Sequence, residues 1–154
     1  MGEDLRRMAR KNRQISIQLE LLANRALAQT GITAVQADVL LFILNHAEEG
    51  TSLTDIHQAF GYSMAAISSL LKRLREKGYV RVEHCRKDDR RKLLFGTEKG
   101  EQVREFLDCA ICTAQEQLCC GFSPEELNVL EQMQQKMLGN LSQLMEKHRE
   151  ETKL

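Results

Sequence analysis

Ten of the chain's 22 lysines and arginines fall within residues 63–92: Lys72, Arg73, Arg75, Lys77, Arg81, Arg86, Lys87, Arg90, Arg91 and Lys92, against four carboxylates. That stretch carries +6 while residues 1–62 carry −1 and residues 93–154 carry −5, so a net charge of zero hides a basic middle. Ammonium and guanidinium groups concentrated in this way neutralise phosphates and release their counterions, which points to a polyanion as partner. The bland alternative is a solvated charged face. Just ahead of the densest cations stand Ser63, Met64, Ala65 and Ala66, then Ser68 and Ser69. On one helix face, such small and hydroxylated residues allow close approach to base edges while Lys72 and Arg73 reach phosphates.

The thiols are the second group with chemistry of their own. Four of the five cysteines, Cys109, Cys112, Cys119 and Cys120, lie close together in sequence. A pair three residues apart can reach a soft metal, and thiols near a dimer axis can cross-link. Equally, cysteine serves as a small apolar filler of a half-buried surface. No zinc-finger spacing is present, and His46, His57, His84 and His148 form no catalytic pair. Without a Gly-rich phosphate loop, a GxSxG elbow, an HExxH pair or clustered acids, an enzyme has no residues to stand on, and no cofactor is expected.

These groups need a scaffold, and composition bounds it. A 154-residue chain with 42% hydrophobic and 29% charged residues, nine glycines, one proline and no tryptophan reads as one mainly helical domain. No apolar run approaches the roughly 20 residues of a membrane span, and the polar amino end is unlike a signal peptide, so a cytoplasmic protein is expected. Leu5, Met8, Asn12, Ile15, Leu19, Leu22 and Ala26 make one seam along a first helix. Leu127, Leu130, Gln134, Met137, Leu141, Leu144 and His148 do the same on a last helix, opened by Ser123-Pro124-Glu125-Glu126 as a capping box. Seams this long suit a partner subunit.

Between them the sequence predicts a buried helix from Thr33 to about His46 and a short one from Ser52, closed by Gly61. A third helix starts at Ser63 and is terminated by Gly78. Tyr79 to His84 alternates as a strand that Arg91 to Phe95 pairs with across a polar turn at Lys87-Asp88-Asp89, and a long helix follows from Glu98 to about Gly121. That long helix directs Val103, Leu107, Ala110, Ile111, Ala114 and Leu118 to one face. Cys112 and Cys119 then fall nearly opposite it, with Cys109 and Cys120 to one side. The expected fold is mainly α with a small β-wing: a winged helix-turn-helix over 33–97, flanked by helical dimerisation segments over 1–32 and 98–154.

IHQAFGYSMAAISSLLKRLREKGYV followed by DDRRKLLFGTEKG resembles the MarR (multiple-antibiotic-resistance regulator) family. The family's wing signature falls on Asp88, Arg90, Thr97 and Gly100. The resemblance implies a homodimeric DNA-binding transcriptional regulator of duplex DNA. Ser63 to Arg73 would be its recognition helix, Arg90 would sit at a minor groove, and Asp88 would pair with a wing arginine. Arg86, Lys87 and Arg91 join the expected DNA contacts. It also implies an effector, often a small aromatic or amphipathic acid, held between the dimer helices and the winged module. The chain departs from the pattern at three places. Gly96 replaces the usual Leu before Thr97, which predicts a looser or bulged strand end. His57 stands where a small residue is usual at the helix crossing. Asp89 adds a second wing carboxylate. No cysteine precedes Cys85, which disfavours peroxide sensing of the amino-terminal type. Two alternatives remain open: a thiol- or metal-responsive regulator of the same fold, and a winged-helix adaptor that binds proteins and not DNA.

Overall fold

The computed structural model describes residues 1–85 and 88–151, with the side chains of residues 85, 88–91, 150 and 151 outside the description. Among the described residues six α-helices, a 3-10 turn and one hairpin follow in order: α1 (Gly2–Leu27), the 3-10 turn (Ala28–Thr30), α2 (Ala34–Asn45), α3 (Leu53–Phe60), α4 (Met64–Glu76), β1 (Val80–Cys85), β2 (Asp88–Gly96), α5 (Glu98–Leu118) and α6 (Pro124–Glu151). The chain divides into two compact units, residues 1–115 and 116–154.

Helix starts are written in side chains that satisfy the first free N–H groups. Thr33 and Gln36 form a reciprocal capping box on α2, and Ser52 and Asp55 form one on α3. Ser63 accepts from the Ala66 N–H on α4. At α6, Ser123 accepts from the Glu126 N–H while the Glu126 carboxylate takes the Ser123 N–H. The end of α4 is a Schellman turn: the Gly78 N–H donates to the Arg75 carbonyl and the Tyr79 N–H to the Leu74 carbonyl. Gly78 holds φ +80°, a backbone state that costs glycine nothing.

The core of the first unit gathers Leu40 and Ile43 of α2, Ile56 of α3, Ile67 and Leu74 of α4 and Leu107 of α5, each under 2% exposed. Alternation on β1 buries Val80 and leaves Arg81 and Glu83 exposed, as a strand with one wet face requires. Val80 pairs with Gly96 and His84 with Lys92 in an antiparallel ladder. Thr51 adds a third short edge through two backbone bonds to Leu94, at 3.0 and 2.8 Å.

The wing corrects two expectations. Asp88 and Asp89 belong to β2, so the polar turn is not centred on them. The irregularity lies between His84 and Cys85, at the far end of the hairpin from Gly96. Gly96 is in register, and its missing side chain is a matter of space: a Cβ there would lie 2.1 Å from Leu44 Cδ2 of α2. Along α5, Leu107, Ala110, Ile111 and Ala114 are buried while Leu118 is exposed.

A Thr with Gly three residues on acquires a physical reason here. The Thr97 hydroxyl donates to the Gly78 carbonyl at 2.6 Å and accepts from the Gly100 N–H at 3.2 Å, while the Thr97 N–H reaches the Tyr79 carbonyl at 3.0 Å. A Cβ on Gly100 would sit 2.8 Å from that same Tyr79 carbonyl. One residue thus starts α5 and ties it to the end of α4. Thr97→Val keeps the shape and removes the hydroxyl, so the expected cost is about 1–3 kcal/mol of stability. Thr97→Ser should recover most of it, both read from urea midpoints.

Candidate nucleic-acid interface

Packing decides which face of α4 is free. Ile67, Leu71 and Leu74 are buried against the core, leaving Ser63, Met64, Ala65, Ala66, Ser68, Ser69, Lys72 and Arg73 exposed on the opposite side. Neighbouring α3 holds α4 in place through Ile56, which is wholly buried with Ile67. Phe60 stacks on Tyr62 with ring centroids 5.8 Å apart and meets Phe42 edge-on at 5.5 Å. His57 proves compatible with the crossing: its Nδ1 lies 2.6 Å from the Tyr62 carbonyl, which only accepts, so the ring donates and braces the turn between α3 and α4.

The described cations of the basic segment separate into different roles. Lys77 donates to the Gly31 carbonyl and to Gln36 Oε1, joining the end of α4 to the loop before α2. Arg81 pairs with Glu83 and covers the Phe95 ring at 4.9 Å. Lys72 stands 4.0 Å from Glu76, an exposed pair of little energetic weight. Lys72 and Arg75 of α4 share a groove with Arg81 of β1. Arg75 is exposed and belongs with the candidate contacts, although sequence reasoning passed it over; its position two residues beyond Arg73 was the available signal. Arg86 and Lys87 lie outside the described residues. Asp88, Arg90 and Arg91 are placed on β2 by their backbone, and the expected pairing of Asp88 with an arginine falls on side chains outside the description.

Cys109, Cys112 and Cys120 are exposed and Cys119 is half-buried, and none of the four is in a disulfide. Cys112 Sγ lies 3.9 Å from an Asp108 carboxylate oxygen. Among the described residues no group of three His, Cys, Asp or Glu side chains is placed to hold a metal ion. No single helix there is long and apolar enough to cross a membrane.

A cleft of about 140 Å³ opens among α1, α2, α5 and the turn before α4. Its ionisable lining is Glu20, Asp38 and Tyr62. Burial holds Asp38 above the usual carboxylate range. Tyr62 is raised by burial first, then by the charges of Asp38 and Glu20. Sequence reading missed this site, for which the one available signal was a lone carboxylate inside the apolar run of α2.

Residues 30–91 match the sequence profile of the MarR family. The winged segment of the chain resembles the MarR family. A curated relative, the HTH-type transcriptional regulator TtmR of Methylorubrum extorquens (strain PA1), is 35% identical over 83 residues, or 54% of this chain and 42% of the relative. The match therefore spans less than half of that protein's length. S. aureus MepR, solved as a DNA complex, superimposes with a TM-score of 0.77 at 26% identity over 84% of this chain and 92% of that one. A putative MarR family transcriptional regulator from Listeria monocytogenes, solved with a 26mer DNA, gives 0.80 at 21% identity over 88% and 89% of the two chains. The likeness in fold to these two structures thus covers most of the chain.

Proposed function

We propose that the chain acts in the cytoplasm as a homodimeric, ligand-responsive transcriptional repressor that binds a pseudo-palindromic duplex site. One observation carries the reading: the small, hydroxylated and cationic face of α4 is exposed along its whole length, while the opposite face is buried. A helix so placed can enter a major groove, and a twofold copy presents a second one about 34 Å away. The wing segment, with Arg86, Lys87, Arg90 and Arg91, would reach the flanking groove, and Asp88 would hold its shape. Residues 33–97 would form the DNA-binding part.

Dimerisation would fall to residues 1–32 and 98–154. In support, Leu5, Met8, Ile15 and Leu22 of α1 are exposed, as are Leu130, Met137, Leu141 and Leu144 of α6. Apolar seams of this length favour burial against a second copy. MepR and the Listeria regulator were both solved with DNA, which supports duplex DNA as partner. An effector in the cleft near Tyr62 would act on the turn that precedes α4.

The test is fluorescence anisotropy of the purified protein on its own upstream DNA across a salt series. Binding whose log K falls steeply and linearly with log salt is expected. Absent or salt-insensitive binding would overturn the reading in favour of a winged-helix protein-interaction adaptor. The exposure of Cys109, Cys112 and Cys120 favours one variant of the proposal, in which a thiol-reactive agent or soft metal is the effector. Replacing Cys109, Cys112, Cys119 and Cys120 together by serine should then abolish the DNA-binding response to diamide; an unchanged response excludes it.

A further inference from the structure

We infer that the cleft bounded by Glu20, Asp38 and Tyr62 takes a compact organic cation, a single-ring or short-chain amine, and not an organic acid. The inference rests on the ligand-responsive reading for its regulatory consequence alone; the binding site stands on its own geometry.

Size sets the first limit. A cleft of about 140 Å³ is close to the roughly 150 Å³ cavity that admits a benzene molecule. Walls from Leu19, Ala23, Val35 and Ile111 suit an apolar body.

Charge sets the second limit. No lysine, arginine or histidine lines the cleft. Among the described residues neither Glu20 nor Asp38 has an ion-pair partner. Their effect on Tyr62 and the shift of Asp38 include no opposing cationic influence. An incoming carboxylate would meet two like charges across a partly dry space, where repulsion is weakly screened. An ammonium group would supply the missing counter-charge, and the Tyr62 ring would offer its face to the same cation.

Tyr62 also connects the site to α4. It directly precedes the cap residue Ser63, its carbonyl receives His57, and its ring stacks on Phe60. A ligand against Tyr62 therefore bears on the turn that sets the direction of α4.

Three probes of similar shape and different charge test the idea by calorimetry on the full chain without DNA: benzylammonium, benzyl alcohol and benzoate. Benzylammonium is expected to bind at least about tenfold tighter than benzoate, with the alcohol between them. Asp38→Asn should remove most of that preference and leave the alcohol unchanged. Benzoate binding as well as benzylammonium would overturn the proposal, as would an Asp38→Asn variant that keeps the preference or a failure of all three probes to bind at millimolar concentration.

Asp38→Asn should fold, because it removes a charge that burial disfavours. With its pKa raised in the folded state, Asp38 lowers stability as pH climbs from about 4 through the raised value, and the variant escapes that loss. Should it nevertheless fail to fold, Glu20→Gln carries the same comparison. Anisotropy with benzylammonium then separates the two readings. Selective ammonium binding by a protein that binds no DNA keeps the site and sinks the regulator, whereas DNA binding without ammonium selectivity does the reverse.

Discussion

Gly96→Leu is expected to cost about 3 kcal/mol or more of folding stability, a large share of the roughly 5–15 kcal/mol that a domain possesses. Even a single added carbon would come 2.1 Å from Leu44 Cδ2 and 3.2 Å from its Cγ. Leu44 is 2% exposed and so has little room to withdraw. The same argument specifies a rescue. Leu44→Ala alone should cost about 2–5 kcal/mol by opening a cavity. Joined with Gly96→Leu, the new side chain fills part of that space, and the double variant should be more stable than the sum of the two single losses allows. Guanidinium melts of the four proteins measure this directly. An unchanged midpoint in Gly96→Leu would show that β2 does not press on α2 as described.

The second large effect concerns DNA. The Lys72→Ala, Arg73→Ala double variant is expected to lose about a hundredfold or more in duplex affinity, since each charge-assisted contact is worth about 1.5–3 kcal/mol and tenfold is about 1.4. It should also reduce the steepness of the salt dependence by about 1.8, two phosphates at about 0.9 each. The loss should be similar on any duplex sequence, because these side chains are assigned to phosphates. Lys77→Ala provides the contrast. Its ammonium is held by Gly31 and Gln36, so thermal stability should fall while the salt slope stays unchanged. A slope that falls equally in both variants would mean that the cations of this segment act together, contrary to their separate positions.

Local features of the fold were legible because their partners are three or four residues away. The helix start at Thr33, the caps at Ser52, Ser63 and Ser123 and the Gly78 terminator are fixed by neighbours in sequence, and the helices start and end where those residues place them. The buried faces of α2 and α4 followed from helical spacing for the same reason. Long-range contacts were not legible. Whether Gly96 marks a bulge or a close approach depends on Leu44, 52 positions earlier. The role of Lys77 depends on Gly31, and the neighbours that shift Tyr62 lie on two other helices. A count of positive charges could locate the basic segment but not separate the cations that brace the protein from those left facing solvent.

Among the described residues, the hairpin is anchored at its base. Val80 pairs with Gly96, Thr51 holds Leu94 by two backbone bonds, and Thr97 clasps Gly78. None of these fastenings involves the tip between Cys85 and Lys92. Tied in this way through residues 94–97, the base of the hairpin passes any shift of α2 or of the end of α4 on to the wing.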